Sequence, residues 1–175
     1  MNISLCCIGE EDLPDIARLA NDADIAAMTN NLPHPYTLAH AQSWFNYVQS
    51  HDSEYVFKIC GNGRLMGVIG LVLEKEHGRA ELGYWLGKPY WNRGVMSAAV
   101  PMALAYAFEV LRVRRVFAHC YAVNAASRRV LEKSGFRQEG CQRQHHECMG
   151  TIHDLICYGL LRDEYAAASG SSAVI

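Results

Sequence analysis

The segment Trp91-Asn92-Arg93-Gly94 stands directly before the longest run of helical apolar spacing in the chain. The first turn of a helix has backbone N–H groups without intrahelical acceptors and carries partial positive charge, so an accessible helix start can bind a phosphate group. Gly94 leaves the backbone accessible, and Arg93 adds a positive charge. We therefore predict an anion site at the amides of residues 93–98. An ordinary loop-to-helix junction is the competing interpretation, because many helices begin with glycine.

A second group of residues carries thiol and imidazole side chains, which are the usual zinc ligands. The spacing contains no Cys-x-x-Cys pair and no regular Cys-His knuckle, so no metal site is predicted. The seven cysteines of the chain are an odd number scattered through apolar runs, which favours reduced core thiols over a disulfide framework. The residues considered for metal are Cys141, His145, His146, Cys148 and His153.

Composition excludes several classes of protein. The chain has 175 residues, half of them apolar, which suits one domain with a substantial core. A formal net charge of -2 gives no field that would attract nucleic acid or an anionic membrane. No apolar run reaches the roughly 20 residues that span a bilayer, and the amino terminus lacks the basic start of a secretory signal. We expect a cytoplasmic protein. No Walker or dinucleotide glycine motif occurs.

Periodicity predicts an α+β fold with about seven strands in a mixed, mainly antiparallel sheet, two helices before its first hairpin and two after it. The Gly61-Asn62-Gly63 turn joins two strands of that hairpin. Residues 1–165 form the single expected domain, and residues 166–175 are predicted to be a disordered tail. The predicted strands are 3–8, 55–59, 65–73, 79–86, 116–122, a run from Phe136 and 151–161; the predicted helices begin near 11 and 38 and cover 94–111 and 125–134.

Three blocks of the sequence resemble the GNAT N-acetyltransferase superfamily, and more closely its RimJ/RimL-like branch of ribosomal-protein, polyamine and small-amine acetyltransferases. The resemblance covers about residues 3–165. Trp91 departs from the family loop, which often has Arg or Gln there, and Met96 departs from its usual small residue. The blocks are Glu81-Leu82-Gly83-Tyr84-Trp85-Leu86 with Pro89 to Met96, then Asn124 to Phe136, and more weakly His153 to Leu161.

The resemblance implies a splay between the fourth and fifth strands, with helices on both faces of the sheet. Acetyl-CoA is the implied co-substrate, its pantetheine arm lying in the splay and its pyrophosphate at the helix start; no metal is implied. A basic cluster that includes Arg129 could meet the cofactor 3'-phosphate, and solvated surface charge is the alternative. The implied cofactor-binding residues are Leu82, Tyr84, Trp85, Leu86, Arg93, Gly94, Val95, Met96, Ser97, Ala98, Asn124, Arg128 and Lys133.

For catalysis the resemblance implies a carboxylate that takes a proton from the amine and a hydroxyl that returns one to the thiolate. Glu81 is the implied base, with Glu74 as its competitor. Ser127 is the implied acid, and Tyr121 and Tyr158 are alternatives. Each also has a purely structural interpretation, as a surface strand residue, a helix-start hydroxyl or a packed aromatic.

The expected reaction is transfer of acetyl to a primary amine, on a protein N-terminus or a small molecule, by direct attack. A coenzyme A-binding sensor or interaction module without catalysis is the alternative. The acceptor stays open among ribosomal-protein N-termini, polyamines, aminoglycosides and amino acids, because residues 28–36, with His34 and Tyr36, carry no diagnostic motif. No nucleic acid or membrane partner is expected, and a homodimer stays open.

Overall fold

Seven strands and six α-helices make up residues 2–170, the part of the chain that the computed structural model describes, the side chains of residues 168–170 excepted. The strands are β1 (Ile3–Cys7), β2 (Glu54–Gly61), β3 (Arg64–Glu74), β4 (Arg79–Leu86), β5 (Arg115–Tyr121), β6 (Arg137–Cys148) and β7 (Thr151–Leu161). The helices are α1 (Leu13–Ala20), α2 (Ala23–Ala26), α3 (Leu38–Ser50), α4 (Val95–Ala105), α5 (Ala125–Lys133) and α6 (Arg162–Gly170).

The strands form one sheet in the order β1-β2-β3-β4-β5-β7-β6. Every neighbouring pair is antiparallel except β4 with β5, which is parallel. That parallel ladder joins residues 79–81 to residues 115–117 and then ends. The α+β fold, the seven strands and the splay of the fourth and fifth strands are therefore confirmed.

Helices cover both faces of the sheet, because the apolar side chains on each face must be buried. The larger core lies between the sheet and α4, where Ala99, Val100 and Ala103 have no measurable exposure. On the other face a second cluster joins α1 and α3 to the sheet, with Ile16 and Phe45 among its members. The last turn before β5 continues α4 as a π-helical segment, Tyr106–Val110.

The hairpin turn and the last strand lie where the sequence predicted them. Asn62 and Gly63 both have positive φ values, 51° and 74°, which glycine and asparagine tolerate. Two helices were missed: the short α2, and α6, which includes residues 166–170 of the predicted tail. That part of the tail prediction is wrong, and residues 171–175 lie outside the described residues. Within residues 2–170, no helix has the length and apolar character needed to cross a bilayer.

A mostly buried ion pair ties the start of the chain to the sheet. The ammonium of Lys58 on β2 lies 2.8 and 2.7 Å from the two carboxylate oxygens of Asp12, which also accepts from the amide of Gly9 at 2.9 Å. Their side chains are 19% and 13% exposed, so little solvent competes. The Asp12 carboxylate raises the pKa of Lys58. Removing one partner would leave a charge in a poorly solvated place.

We expect Asp12→Asn to lower the free energy of unfolding by about 3 kcal/mol, because Lys58 would keep its charge without a partner. The matched control is Asp15→Asn, which breaks the exposed Arg18–Asp15 pair and should cost less than about 1 kcal/mol. Urea unfolding measures both. Adding Lys58→Met to Asp12→Asn should recover part of the loss, and equal stability of the two single variants would contradict this account.

Candidate active site

The edge of β4 carries peptide groups that no strand covers beyond Glu81. The amide of Gly87 donates to the Met66 carbonyl on β3 at 2.8 Å. Because alternate residues of a strand direct their peptide groups to the same side, those of Leu82, Tyr84 and Leu86 point away from β3. The Leu86 carbonyl accepts from the indole N–H of Trp91 at 2.7 Å. Leu82 and Tyr84 thus face the space where the β4–β5 ladder has ended.

Because of this alternation, only some of the β4 residues predicted to bind the cofactor face that space. The peptide of Trp85 faces β3 by the same alternation, and its side chain packs against the second hydrophobic cluster. Gly83 has open space at its Cβ position, with no atom within 4 Å. A long ligand could therefore approach β4 at residues 82–84, whereas Trp91 already occupies the Leu86 carbonyl.

The first turn of α4 has free amides. Gly94 adopts the left-handed conformation with φ of 74°, no side chain caps the helix, and its first turn contains no acidic residue. A Cβ at Gly94 would meet no atom within 4 Å. Val95 and Met96 bury their side chains in the core, so their contribution to a ligand is limited to the amides, while Arg93 and Ser97 are exposed. The turn fits an anion.

Ser127 and Tyr84 meet on the α4 and α5 side of the sheet. Their hydroxyl oxygens are 2.8 Å apart. Burial raises the pKa of Tyr84, so its phenol keeps its proton. The side-chain oxygen of Asn124 accepts from the Ser127 amide at 3.1 Å, which caps α5 and leaves the Asn124 amide nitrogen as its donor. Ser127, Tyr84 and Asn124 are thus brought together beside the splay.

Glu81 faces the opposite side of the sheet, where it meets a residue that the sequence analysis missed. Its Oε1 lies 2.9 Å from Nδ1 of His119 on β5. Glu81 is in the last parallel pair with Phe117, and His119 lies two residues further on, so this contact bridges the strands where they begin to separate. The side chains are 44% and 28% exposed, so solutes can reach the pair.

A sequence signal for His119 existed. Phe117, His119 and Tyr121 alternate along a β-rich run, so one face of that strand carries a histidine. Placing it beside Glu81 required the register of two parallel strands that are separated by a long helix, which local patterns do not encode.

Several predicted residues have other partners. The Arg128 guanidinium donates to the Tyr158 hydroxyl at 3.3 Å and to the Ala122 carbonyl at 3.5 Å. The Tyr158 hydroxyl in turn donates to Glu132 at 2.8 Å, and Tyr158 is 1% exposed. These contacts hold α5 against β7 and engage both side chains. Lys133 is exposed at the end of α5.

The remaining alternatives are placed less favourably. Glu74 forms an ion pair with Arg79 at 2.8 Å. Tyr121 is 1% exposed and stacks on His153, and burial raises the pKa of its phenol. Tyr36 is a buried core residue.

Of the residues considered for metal, His146 and His153 are register partners on β6 and β7, and the other three have no such pairing with them. Cys148 donates to the Ala26 carbonyl at 3.3 Å, which joins the end of β6 to α2. Cys141 is exposed on β6. No three histidine, cysteine or acidic side chains within the described ranges are grouped so that they could hold a metal ion.

Cys120 is the thiol nearest to this chemistry. Burial raises its pKa to about 11, although a contact with Ser127 acts in the opposite direction. A thiol with this pKa is protonated at neutral pH and is a poor nucleophile. The arrangement therefore disfavours an acyl-cysteine intermediate.

Comparison with known proteins places these features in context. The family description "Acetyltransferase (GNAT) domain" matches residues 5–137. YdaF of Bacillus subtilis (strain 168), provisionally named a ribosomal N-acetyltransferase, is 42% identical over 106 residues, 59% of this chain and 57% of YdaF. The ribosomal-protein-serine acetyltransferase of Escherichia coli (strain K12) is 29% identical over 66% of each chain. The chain thus spans little more than half the length of YdaF.

Solved structures show the same fold. The spermidine N-acetyltransferase of Vibrio cholerae, crystallised with CoA and spermine, superposes with a TM-score of 0.85 at 21% identity, covering 94% of this chain and 98% of that one. A GNAT-family acetyltransferase from Bacillus anthracis gives a TM-score of 0.82 at 22% identity, over 93% and 96% of the two chains. At these identities the likeness concerns the fold alone.

The Tyr84–Ser127 contact should appear as a coupling in a double-mutant cycle of Tyr84→Phe and Ser127→Ala. We expect an interaction free energy of about 1 kcal/mol, the net value of one partly buried hydrogen bond. Urea unfolding of the parent, both single variants and the double variant gives this value. Ser134→Ala, at the far end of α5, is the control and should be additive with Tyr84→Phe; equal results for both serines would refute the contact.

Proposed function

Since the chain belongs to the GNAT acetyltransferase family, we propose that it transfers an acetyl group from acetyl-CoA to a primary amine, whose nitrogen attacks the thioester directly. The observation that carries this proposal is the early end of the β4–β5 ladder beside an uncapped helix start. An extended arm with amide groups can bond to a strand edge much as another strand would. The same arm would end in a diphosphate, which suits the amides of α4.

The cofactor-binding set follows from which groups are free. The amides of Gly94 to Ser97 and the charge of Arg93 would hold the diphosphate, with the side chains of Val95 and Met96 supporting the turn from the core. The amide of Ala98, which the sequence analysis included, donates to the Gly94 carbonyl at 3.1 Å and is not free. The peptides of Leu82 and Tyr84, with the side-chain amide nitrogen of Asn124, would hold the pantetheine arm. Lys133 remains available for a 3'-phosphate, whereas Arg128 stabilises α5.

The catalytic groups are proposed to work from opposite faces of the sheet. Glu81 with His119 forms the side that accepts a proton from the incoming ammonium. Ser127 with Tyr84 forms the side that returns a proton to the departing thiolate. The protonated Cys120 supports direct attack over a two-step route. Much of the rate would come from holding the two reactants in one geometry.

The acceptor class is proposed from chemistry and from the names of relatives. The relatives include a ribosomal-protein-serine acetyltransferase and the spermidine N(1)-acetyltransferase of E. coli, which is 23% identical over 95% of this chain. Both names describe acetyl transfer, and a primary amine is the acceptor that the Glu81–His119 side would suit. We propose a protein N-terminus or a polyamine as the acceptor, and residues 1–165 as one catalytic domain.

The test is a thiol-release screen with acetyl-CoA against N-terminal peptides, polyamines and aminoglycosides, run beside calorimetric titration of acetyl-CoA. Thiol release that depends on one amine class, with mass spectrometry showing the acetylated product, supports the proposal. Acetyl-CoA binding without release on any amine would instead favour a noncatalytic coenzyme A-binding module. Absence of both would contradict the cofactor assignment.

Ser97→Asp should weaken acetyl-CoA binding at least about tenfold, because it adds a negative charge where the diphosphate would lie. The same charge interacts favourably with the helix dipole, so the free energy of unfolding should stay equal or rise by about 0.5 kcal/mol. Ser97→Asn has similar shape without charge and should bind acetyl-CoA nearly as the parent does. Equal weakening by Asp and Asn would show that shape, not charge, is decisive.

A further inference from the structure

We propose that Nε2 of His119 is the atom that takes the proton from the amine, and that Glu81 is a positioning residue that holds the imidazole ready. This inference rests on the proposed acetyl transfer and names the base within the Glu81–His119 pair. It departs from the sequence-based expectation, in which Glu81 itself was the base. Three observations lead to it: the atoms in contact, the groups around His119, and the chemistry that the reaction requires.

The contact fixes the tautomer of the imidazole. A carboxylate can only accept hydrogen bonds, so the 2.9 Å contact between Glu81 Oε1 and His119 Nδ1 requires the proton on Nδ1. In the neutral ring the lone pair then lies on Nε2, which is the position from which a histidine acts as a base when a carboxylate orients it. The exposed 28% of the side chain leaves the ring accessible to solutes.

The groups around His119 leave Glu81 as its charged contact. From β4 it faces Glu81, from β7 its register partner is Cys157, and along β5 it meets the ring of Phe117. Burial raises the pKa of the Cys157 thiol, so that group is neutral. The Arg79 guanidinium lies over the ring of Phe117, 5.1 Å from its centre. Glu81 is thus the charged group in direct contact with the imidazole, and it orients the ring.

Base strength also separates the two residue types. An alkyl ammonium gives up its proton more readily to an imidazole, with an ordinary pKa of about 6.5, than to a carboxylate, at about 4.3. A general base works best when its pKa lies near the operating pH.

The proton balance of the step is complete. His119 Nε2 takes one proton from the ammonium, which frees the nitrogen lone pair to form the C–N bond at the thioester carbon. The nitrogen then releases its second proton to water as the C–S bond breaks, and the thiolate gains one proton from the Ser127 and Tyr84 side, which is restored from solvent. The imidazolium releases its proton to water, so each turnover yields acetylated amine, free thiol and one net proton.

The experiment compares kcat/KM for the parent, His119→Ala, His119→Gln and Glu81→Gln, using the amine found by the screen. We expect both His119 variants to lose about 100-fold or more, with acetyl-CoA affinity within twofold of the parent. Added imidazole should restore part of the activity of His119→Ala and none of Glu81→Gln. Glu81→Gln should lose less, because the imidazole base remains and only the carboxylate that orients it is removed.

A second readout follows the ring itself. Histidine nitrogen NMR of the parent should show the proton of neutral His119 on Nδ1, and this preference should weaken in Glu81→Gln. Unfolding curves test whether each variant is folded. If His119→Ala does not fold, His119→Gln provides the activity comparison.

Two results would overturn the assignment. The first is a Glu81→Gln variant that loses most activity while both His119 variants keep theirs. The second is a neutral His119 with its proton on Nε2. A parent that binds acetyl-CoA but acetylates no amine would be a different result, because it contradicts the proposed function first and the base assignment only with it.

Discussion

A parallel ladder that stops after three residue pairs organises the centre of this molecule. On either side of it the sheet is regular: β3 pairs with β4 over eight residue pairs, and β5 pairs with β7 over seven. The opening is therefore held by two well-paired flanks and is not a frayed edge. Backbone groups exposed in this way need hydrogen-bond partners, which an extended amide-bearing arm can supply.

The period of a β-strand places the two proposed proton steps on opposite faces. Ala80, Leu82 and Tyr84 of β4 belong to or pack against the core on the α4 side, so the intervening residue Glu81 faces away from it. Tyr84 thereby meets Ser127 on one face of the sheet, and Glu81 meets His119 on the other.

Local patterns predicted the parts of the fold that depend on local physics. Alternation and turn residues located the hairpin around Gly61-Asn62-Gly63, and helical spacing located α4, since these signals act within a few residues. Pairings between distant strands are not local, which is why His119 was missed and why Arg128 was expected at a ligand although it bonds to Tyr158. Helix α2 has only four residues, which is too short to show a helical repeat of apolar side chains.

The topology also has a consequence for synthesis. β7 is the last strand to be made, yet it lies between β5 and β6, so β6 has no neighbour to join when it leaves the ribosome. Until residue 161 emerges, the outer edge of β5 stays bare, and such an edge can pair with other nascent chains. The final hairpin must therefore dock as a unit. Because the chain is synthesised from its N-terminus, the sheet cannot be completed until β7 has been made. The exposed edge of β5 is therefore the place where protection by a chaperone would matter most.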